Sequence, residues 1–529
     1  MPQTTTTNPI ATTPADRPPV LPILLALVAL KLALHLYVNL FAGYEIFRDE
    51  LYYLACASHP ALGYVDQPPL SIWLLAGVRS VLGDSLFAIR LLPALAGAAL
   101  VFVTGLLARE LSPPGGGRLA VTLAAGCSLV SGFALAVSSF YSMNVFDLLL
   151  VAVACLLLVR LIDTEDPRLW LALGAVLGLG LLNKVGVLWV GLGVFVGTLA
   201  TRERRWLRTP WPWAAGAIAA ALFLPYLIWN ATHDWAHLEF IGRAVTGKYS
   251  GLDAWSFLSG QVLMQNPVSL PVWLAGLGWL LFAPGGRRYR LLGIVWVTAC
   301  LVLLANGHSK AEYLSNVYAP LFAAGGVAWE QALARSGAGW APALARGALV
   351  ALVLSGLLLA PLATPILPVE TYVEYADALG FAPSTPEGHE LAELPQFYAD
   401  MFGWRAKAEA VAAVYHALPE EDRARAAIFA DNYGRSGAVD YWADELGLPG
   451  AIGNHNSYWL WGPGDATGEV VIVLGGDRDD LERRFRTVTL AGRADCDWCI
   501  PYERDLPIFV CREALLPMDE LWPLTRHFS

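Results

Sequence analysis

Between residues 45 and 69 the chain reads EIFRDELYYLACASHPALGYVDQPP, gathering Arg48, Asp49, Glu50, Tyr52, Tyr53, His59, Tyr64 and Asp66 directly after its first long apolar segment. So many ionisable and aromatic groups at a membrane surface exceed what a connecting loop needs. The adjacent carboxylates Asp49 and Glu50 fall on a short helix running to about Ala57. Consecutive helix positions point roughly 100° apart, so the two acids do different work. One suits a general base facing a cavity, and the other suits orienting a substrate hydroxyl or an arginine. Acids that merely face water at a helix start are also compatible with this pair alone. The stretch reads as the catalytic loop of an enzyme acting on a membrane lipid.

Further polar groups lie where apolar segments end. Asp147 sits just inside an apolar run, and a carboxylate there must face protein or a cavity. Lys184 interrupts two apolar runs, and Lys310 follows another beside His308. Two lysines near carboxylates suit an anion, most simply a phosphate, although each also suits an anchor at a helix end. Lys31 and His35, four apart, share one face of the first apolar segment and need partners there.

The elements that must position these groups follow from composition. Of 529 residues, 56% are hydrophobic and 15% charged, with 20 Trp and 19 Tyr. Soluble domains carry about 25% charge, so the chain reads as a polytopic helical membrane protein with a soluble part. The net charge of −10 gives no support for a nucleic-acid partner. Residues 1–19 are Thr- and Pro-rich and read as a disordered cytoplasmic N-terminus. Eleven spans of bilayer length are expected, at 20–42, 86–108, 119–138, 145–161, 169–182, 185–200, 212–229, 270–283, 291–305, 313–329 and 343–367. Leu70–Leu82 is shorter and reads as a helix lying along the membrane or dipping into it. The domains are then a disordered 1–19, a membrane domain at 20–368 whose first outer loop is 43–85, and an extracytoplasmic domain at 369–529.

Charge sets an orientation. Alternating from a cytoplasmic N-terminus leaves thirteen arginines inside: 109, 118, 160, 168, 202, 204, 205, 208, 287, 288, 290, 335 and 346. Outside are Arg48, Lys184, Arg243, Lys248 and Lys310, with Arg79 and Arg90 as candidates. Cations favour the cytoplasmic side, so the N-terminus is expected inside, and the first loop and C-terminal domain outside a plasma (inner) membrane.

After residue 370, short apolar runs at 425–431, 469–476 and 507–512 read as strands, and 405–418, 436–447 and 477–485 as helices, giving a small α/β domain. Cys56, Cys496, Cys499 and Cys511 fall where disulfides are permitted. The CDWC pair fits a disulfide element, half a zinc site or a redox pair. A bridge from Cys496 or Cys499 to Cys511 is the preferred reading.

RDELYYLACASHPALGYVDQPPL, FDLLL around Asp147, LLNKVG around Lys184 and GHSKAEYLSNVYAPL around Lys310 together resemble glycosyltransferase family 39. That family includes the protein O-mannosyltransferases and is close to the bacterial aminoarabinose transferases of lipid A. The resemblance spans roughly residues 20–330. It implies the GT-C fold and an inverting transfer of a sugar from a polyprenyl-phosphate donor. It also implies that Asp49 stands at the catalytic acid position, with Glu50 as the second acid and Asp147 near the outer end of its span. Arg48, Tyr52, Tyr53, Tyr64, Asp66, Asp147, Lys184, His308 and Lys310 are the expected substrate-binding residues. Where some relatives carry Glu-Lys-Pro, this chain has Asp66 followed by Gln67, and Lys310 is expected to take over part of that lysine's role.

The C-terminal segments NYGRSGAVDYW and GNHNSYWLWGPG do not match the protein mannosyltransferases, so the acceptor stays open among envelope lipid, glycan and protein. No cofactor is assigned, and a divalent cation stays open. A transporter or flippase of lipid-linked precursors would share the many spans, but such folds carry internal repeats, and none is visible in the sequence.

Overall fold

The computed structural model describes residues 20–245, 253–385 and 390–529. The expected disordered N-terminus at 1–19 and the outer cation Lys248 lie outside them.

The membrane domain is built from helices whose apolar composition leaves the backbone to satisfy its own hydrogen bonds. In chain order they are α1 (Leu21–Phe41), α2 (Arg48–Ser58), α3 (Leu70–Leu82), α4 (Leu86–Leu111), α5 (Arg118–Val130), α6 (Gly132–Ala136), α7 (Met143–Thr164) and α8 (Arg168–Asn183). They continue as α9 (Val187–Ala200), α10 (Trp211–Thr232), α11 (Ala236–Arg243), α12 (Ala254–Met264), α13 (Leu270–Phe282), α14 (Arg290–Asn306), α15 (Ala319–Ser336) and α16 (Ala341–Ala363). By length and composition, six described helices can cross a bilayer: α1, α4, α7, α10, α14 (with the preceding short turn) and α16. Shorter apolar helices, among them α5, α8 and α9, pack between them.

Two expected elements differ, and two helices are additional. The span expected at 119–138 is broken at Ser131, whose side chain caps the new helix by accepting from Ala134 N. The span expected at 313–329 begins only at Ala319, because Pro320 starts a helix readily but cannot continue one. Residues 311–317 form a 3-10 segment instead. Helices α11 and α12 were not expected; Asp253 caps the latter by accepting from Trp255 N and Ser256 N.

The C-terminal elements are α17 (Val369–Ala378), α18 (Gln396–Ala399), α19 (Trp404–Ala417), α20 (Glu420–Arg423) and α21 (Tyr433–Tyr441), with a sheet of β1 (Ala426–Ala430), β2 (Ala451–Gly453), β3 (Val470–Leu474), β4 (Phe485–Ala494) and β5 (Leu506–Ala514). The sheet order is β2-β1-β3-β5-β4, with β1 parallel to both neighbours and β5 antiparallel to both of its own. Continuous apolar runs make β1 and β3 interior strands. The longest strand, β4, lies at the sheet edge and escaped sequence reading because FRTVTLAGRA has neither a continuous apolar run nor a regular alternation, only Phe485, Val488 and Ala494 being buried.

The cysteine pairing is corrected. Cys496 bonds to Cys499, and Cys511 is free and buried. Cys511 sits mid-strand in β5 opposite Val488, packed with Val471, Phe485 and Phe509. The CDWC loop leaves the far end of β4, six strand residues or about 20 Å beyond Val488, whereas a disulfide needs α-carbons within about 7 Å.

Candidate active site

The site begins at the N-terminus of α2. Glu50 is fully buried and closes the helix start by accepting from Phe47 N at 2.9 Å. The Arg90 guanidinium of α4 reaches it with Nη2 at 2.7 Å and Nε at 2.9 Å, and Tyr141 N donates at 2.7 Å. Those bonds occupy the carboxylate, so Glu50 ties α2 to α4 and to the loop before α7.

Asp49 points elsewhere. It keeps 38% of its side chain exposed, and Tyr433 of α21 donates to its Oδ1 at 2.9 Å. Arg48, by contrast, is buried: its Nη1 donates to the Tyr502 hydroxyl at 3.0 Å and pairs with Asp400 at 3.4 Å. The helices α2 and α21 lie close because glycines face α2. A Cβ on Gly437 would stand 2.9 Å from the Leu51 carbonyl carbon, and one on Gly434 2.7 Å from Arg48 Cγ.

One turn further along α2, the Tyr52 hydroxyl donates to Asp66 at 2.8 Å and lies 2.8 Å from Ser457 Oγ. The Tyr53 hydroxyl accepts from Met143 N at 3.2 Å. Burial, with the Asp66 carboxylate adding to it, holds both phenols well above their ordinary range, so they remain protonated. Tyr64 braces the loop, its hydroxyl accepting from Ala61 N and lying 3.1 Å from Cys56 O. Next to Asp66, Gln67 is fully buried, and neither its amide nitrogen nor its amide oxygen has a hydrogen-bond partner among the described residues.

Tyr53 leads to the second polar group. Met143, which it contacts, opens α7, and the Asn183 amide donates to Met143 O at 2.8 Å. Lys184 Nζ donates to Asn144 Oδ1 at 2.7 Å, lies 3.9 Å from Asp147, and sits 5.1 Å from the Tyr313 ring centroid. Asp147 is buried and accepts from Asn316 at 3.1 Å. Tyr313 and Asn316 both belong to the 3-10 segment that Lys310 opens. The geometry thus joins Tyr53 through the α7 start to Lys184, Asp147 and the 310–317 segment, and Asp49 stands one turn before Tyr53 on α2. His308 is exposed in the turn before it.

Lys31 and His35 have separate partners, Ala134 O at 3.1 Å and Ser139 Oγ at 3.3 Å. Among the described residues, no group of three or more His, Cys, Asp or Glu is placed to hold a metal ion. Sequence reading missed Arg90, Asn316, Tyr433 and Ser457. An arginine inside an apolar helix signals a buried partner, but nothing local marks which carboxylate that is.

Residues 66–229 match the family model described as dolichyl-phosphate-mannose-protein mannosyltransferase. The chain is 30% identical over 195 residues to the lipid A galacturonosyltransferase RgtD of Rhizobium johnstonii, a match covering 37% of this chain and 40% of that protein. The crystal structure of ArnT from Cupriavidus metallidurans bound to undecaprenyl phosphate superposes with a TM-score of 0.58 at 14% identity, covering 92% of this chain and 98% of that one. Its apo form gives 0.56 over 92% and 97%. The chain therefore has the GT-C fold expected from sequence, and its residues 66–229 match the mannosyltransferase family model.

Proposed function

We propose that this protein is an inverting membrane glycosyltransferase that moves a sugar from a polyprenyl-phosphate donor to an envelope lipid, glycan or protein. The observation that carries the reading is the part-exposed Asp49 one turn before Tyr53 on α2, with Tyr53 leading through the α7 start to the Lys184–Asp147–Asn316 group. Such an arrangement supplies both ends of the displacement. Asp49 takes the proton of the acceptor hydroxyl as that oxygen bonds to the anomeric carbon. The bond from this carbon to the phosphate breaks on the opposite side, and lysine charge stabilises the departing phosphate. Lys184 has the geometry for this, and Lys310 opens the adjoining segment. Glu50, saturated by its bonds to Arg90, Phe47 and Tyr141, acts in this reading by holding α2 in place. Gln67, buried without a partner, is assigned to the donor's polar head, since an unpaired buried amide is costly until something pairs with it.

The active site faces the outside of a plasma (inner) membrane, with the N-terminus cytoplasmic. Supporting this side, arginines Arg160, Arg205 and Arg288 gather with Glu110, Glu165 and Asp163 around the α7–α8 turn, at the opposite end of α7 from Met143. Mass spectrometry of envelope glycolipids and glycoproteins, with and without the gene, tests the function. Loss of one glycosyl modification with its lipid-linked donor accumulating on the outer face is expected, and accumulation of that precursor on the inner face would favour a flippase.

A further inference from the structure

The C-terminal domain reaches the candidate base itself. Tyr433 is the first residue of α21, in a turn fixed by Asn432, which accepts from Gly434 N at 2.7 Å. The Tyr433 ring is wedged between that of Tyr52, 4.9 Å away, and that of His455, 4.7 Å away. The Arg48 guanidinium lies 5.6 Å from its centroid. The phenol is thus immobilised, and it donates to Asp49 Oδ1 at 2.9 Å. A part-exposed aspartate near a helix start otherwise samples several rotamers. This bond, with Arg48 Nε 3.6 Å from the same Oδ1, selects among them and leaves Oδ2, which accepts no hydrogen bond from the described residues, for the acceptor.

We propose that Tyr433 is the positioning residue for Asp49, so that the C-terminal domain and the first outer loop form a single active site. This rests on the reading of Asp49 as the base. During transfer Tyr433 keeps its proton and only donates a hydrogen bond. Asp49 Oδ2 receives the acceptor proton, the acceptor oxygen bonds to the anomeric carbon, and the electrons of the broken bond leave with the phosphate.

The test uses the purified full-length protein in lipid nanodiscs, with membranes from a gene-deleted strain as the source of donor and acceptor. Tyr433→Phe keeps the ring between its neighbours and removes the hydroxyl. The initial transfer rate is expected to fall about tenfold, the scale of one hydrogen bond to a charged group. Undecaprenyl phosphate binding and the unfolding temperature are expected to stay unchanged. Tyr433→His, which offers a ring N–H, is expected to recover part of the rate. A wild-type rate in Tyr433→Phe overturns the proposal, as does a rate loss that merely follows a loss of folded protein. Asp49→Asn is run alongside: if it transfers normally, the base reading itself fails, whereas an inactive Asp49→Asn beside a fully active Tyr433→Phe removes only the role of Tyr433.

Discussion

Glu50 and Arg90 form a buried pair, with the guanidinium Nη2 2.7 Å from Oε2 and both side chains almost wholly removed from solvent. Because Glu50 also accepts from Tyr141 N, the helix carrying Asp49 is held by α4 and by the loop before α7, while the bond from Phe47 N closes the helix's own first turn. The neighbouring acids are therefore expected to respond differently to loss of charge. Glu50→Gln leaves Arg90 as an uncompensated buried charge, a change that costs about 3–5 kcal/mol. Thermal unfolding in detergent is expected to show a lowered Tm and poor yield. Asp49→Asn is expected to keep the wild-type Tm while transfer falls at least ~10²-fold. Near-normal turnover in folded Asp49→Asn would remove Asp49 as the base.

Gln67 offers a separation of stability from activity. An unpaired buried amide weakens the fold, whereas leucine in its place carries no unmet hydrogen bond. Gln67→Leu is expected to leave Tm unchanged or raised while weakening binding of the proposed polyprenyl-phosphate donor about tenfold. If donor binding is unaltered, the amide does not meet the donor.

The lysines are distinguished by substitution series. Lys184→Met removes the cation that bonds Asn144 and approaches Asp147, and is expected to lower turnover and donor affinity together. Lys310→Met is expected to do the same, with Lys310→Arg retaining part of the activity because charge persists in a different shape. Wild-type donor kinetics in purified Lys310→Met would identify that residue as a membrane-surface anchor.

The disulfide predicts a labelling pattern. In intact cells a membrane-impermeant thiol reagent is expected to modify the part-exposed Cys496 only after reduction frees it from the buried Cys499, since both lie in the C-terminal domain proposed to face outward. Cys511 is expected to react only after denaturation, because it is buried in the sheet. Labelling that requires permeabilised cells would reverse the proposed orientation.

Apolar runs, proline and charge were enough to mark most of the membrane helices, since a bilayer dictates their length and composition locally. The motif around Asp49 likewise marked the loop proposed to be reactive, because adjacent carboxylates at a membrane surface are unusual by themselves. Which acid does what was not local. Glu50 became structural only through Arg90, forty residues away, and Asp49 acquired its partner from Tyr433, which lies 384 residues on. Asp147 and Asn316 meet across 169 residues, and Cys511 lost its expected partner to the length of β4. Sequence by itself set the residue types and the side of each helix on which they stand. The pairings depended on close approach between helices and domains, at Gly434 and Gly437 for example, where the absence of a side chain lets two backbones meet.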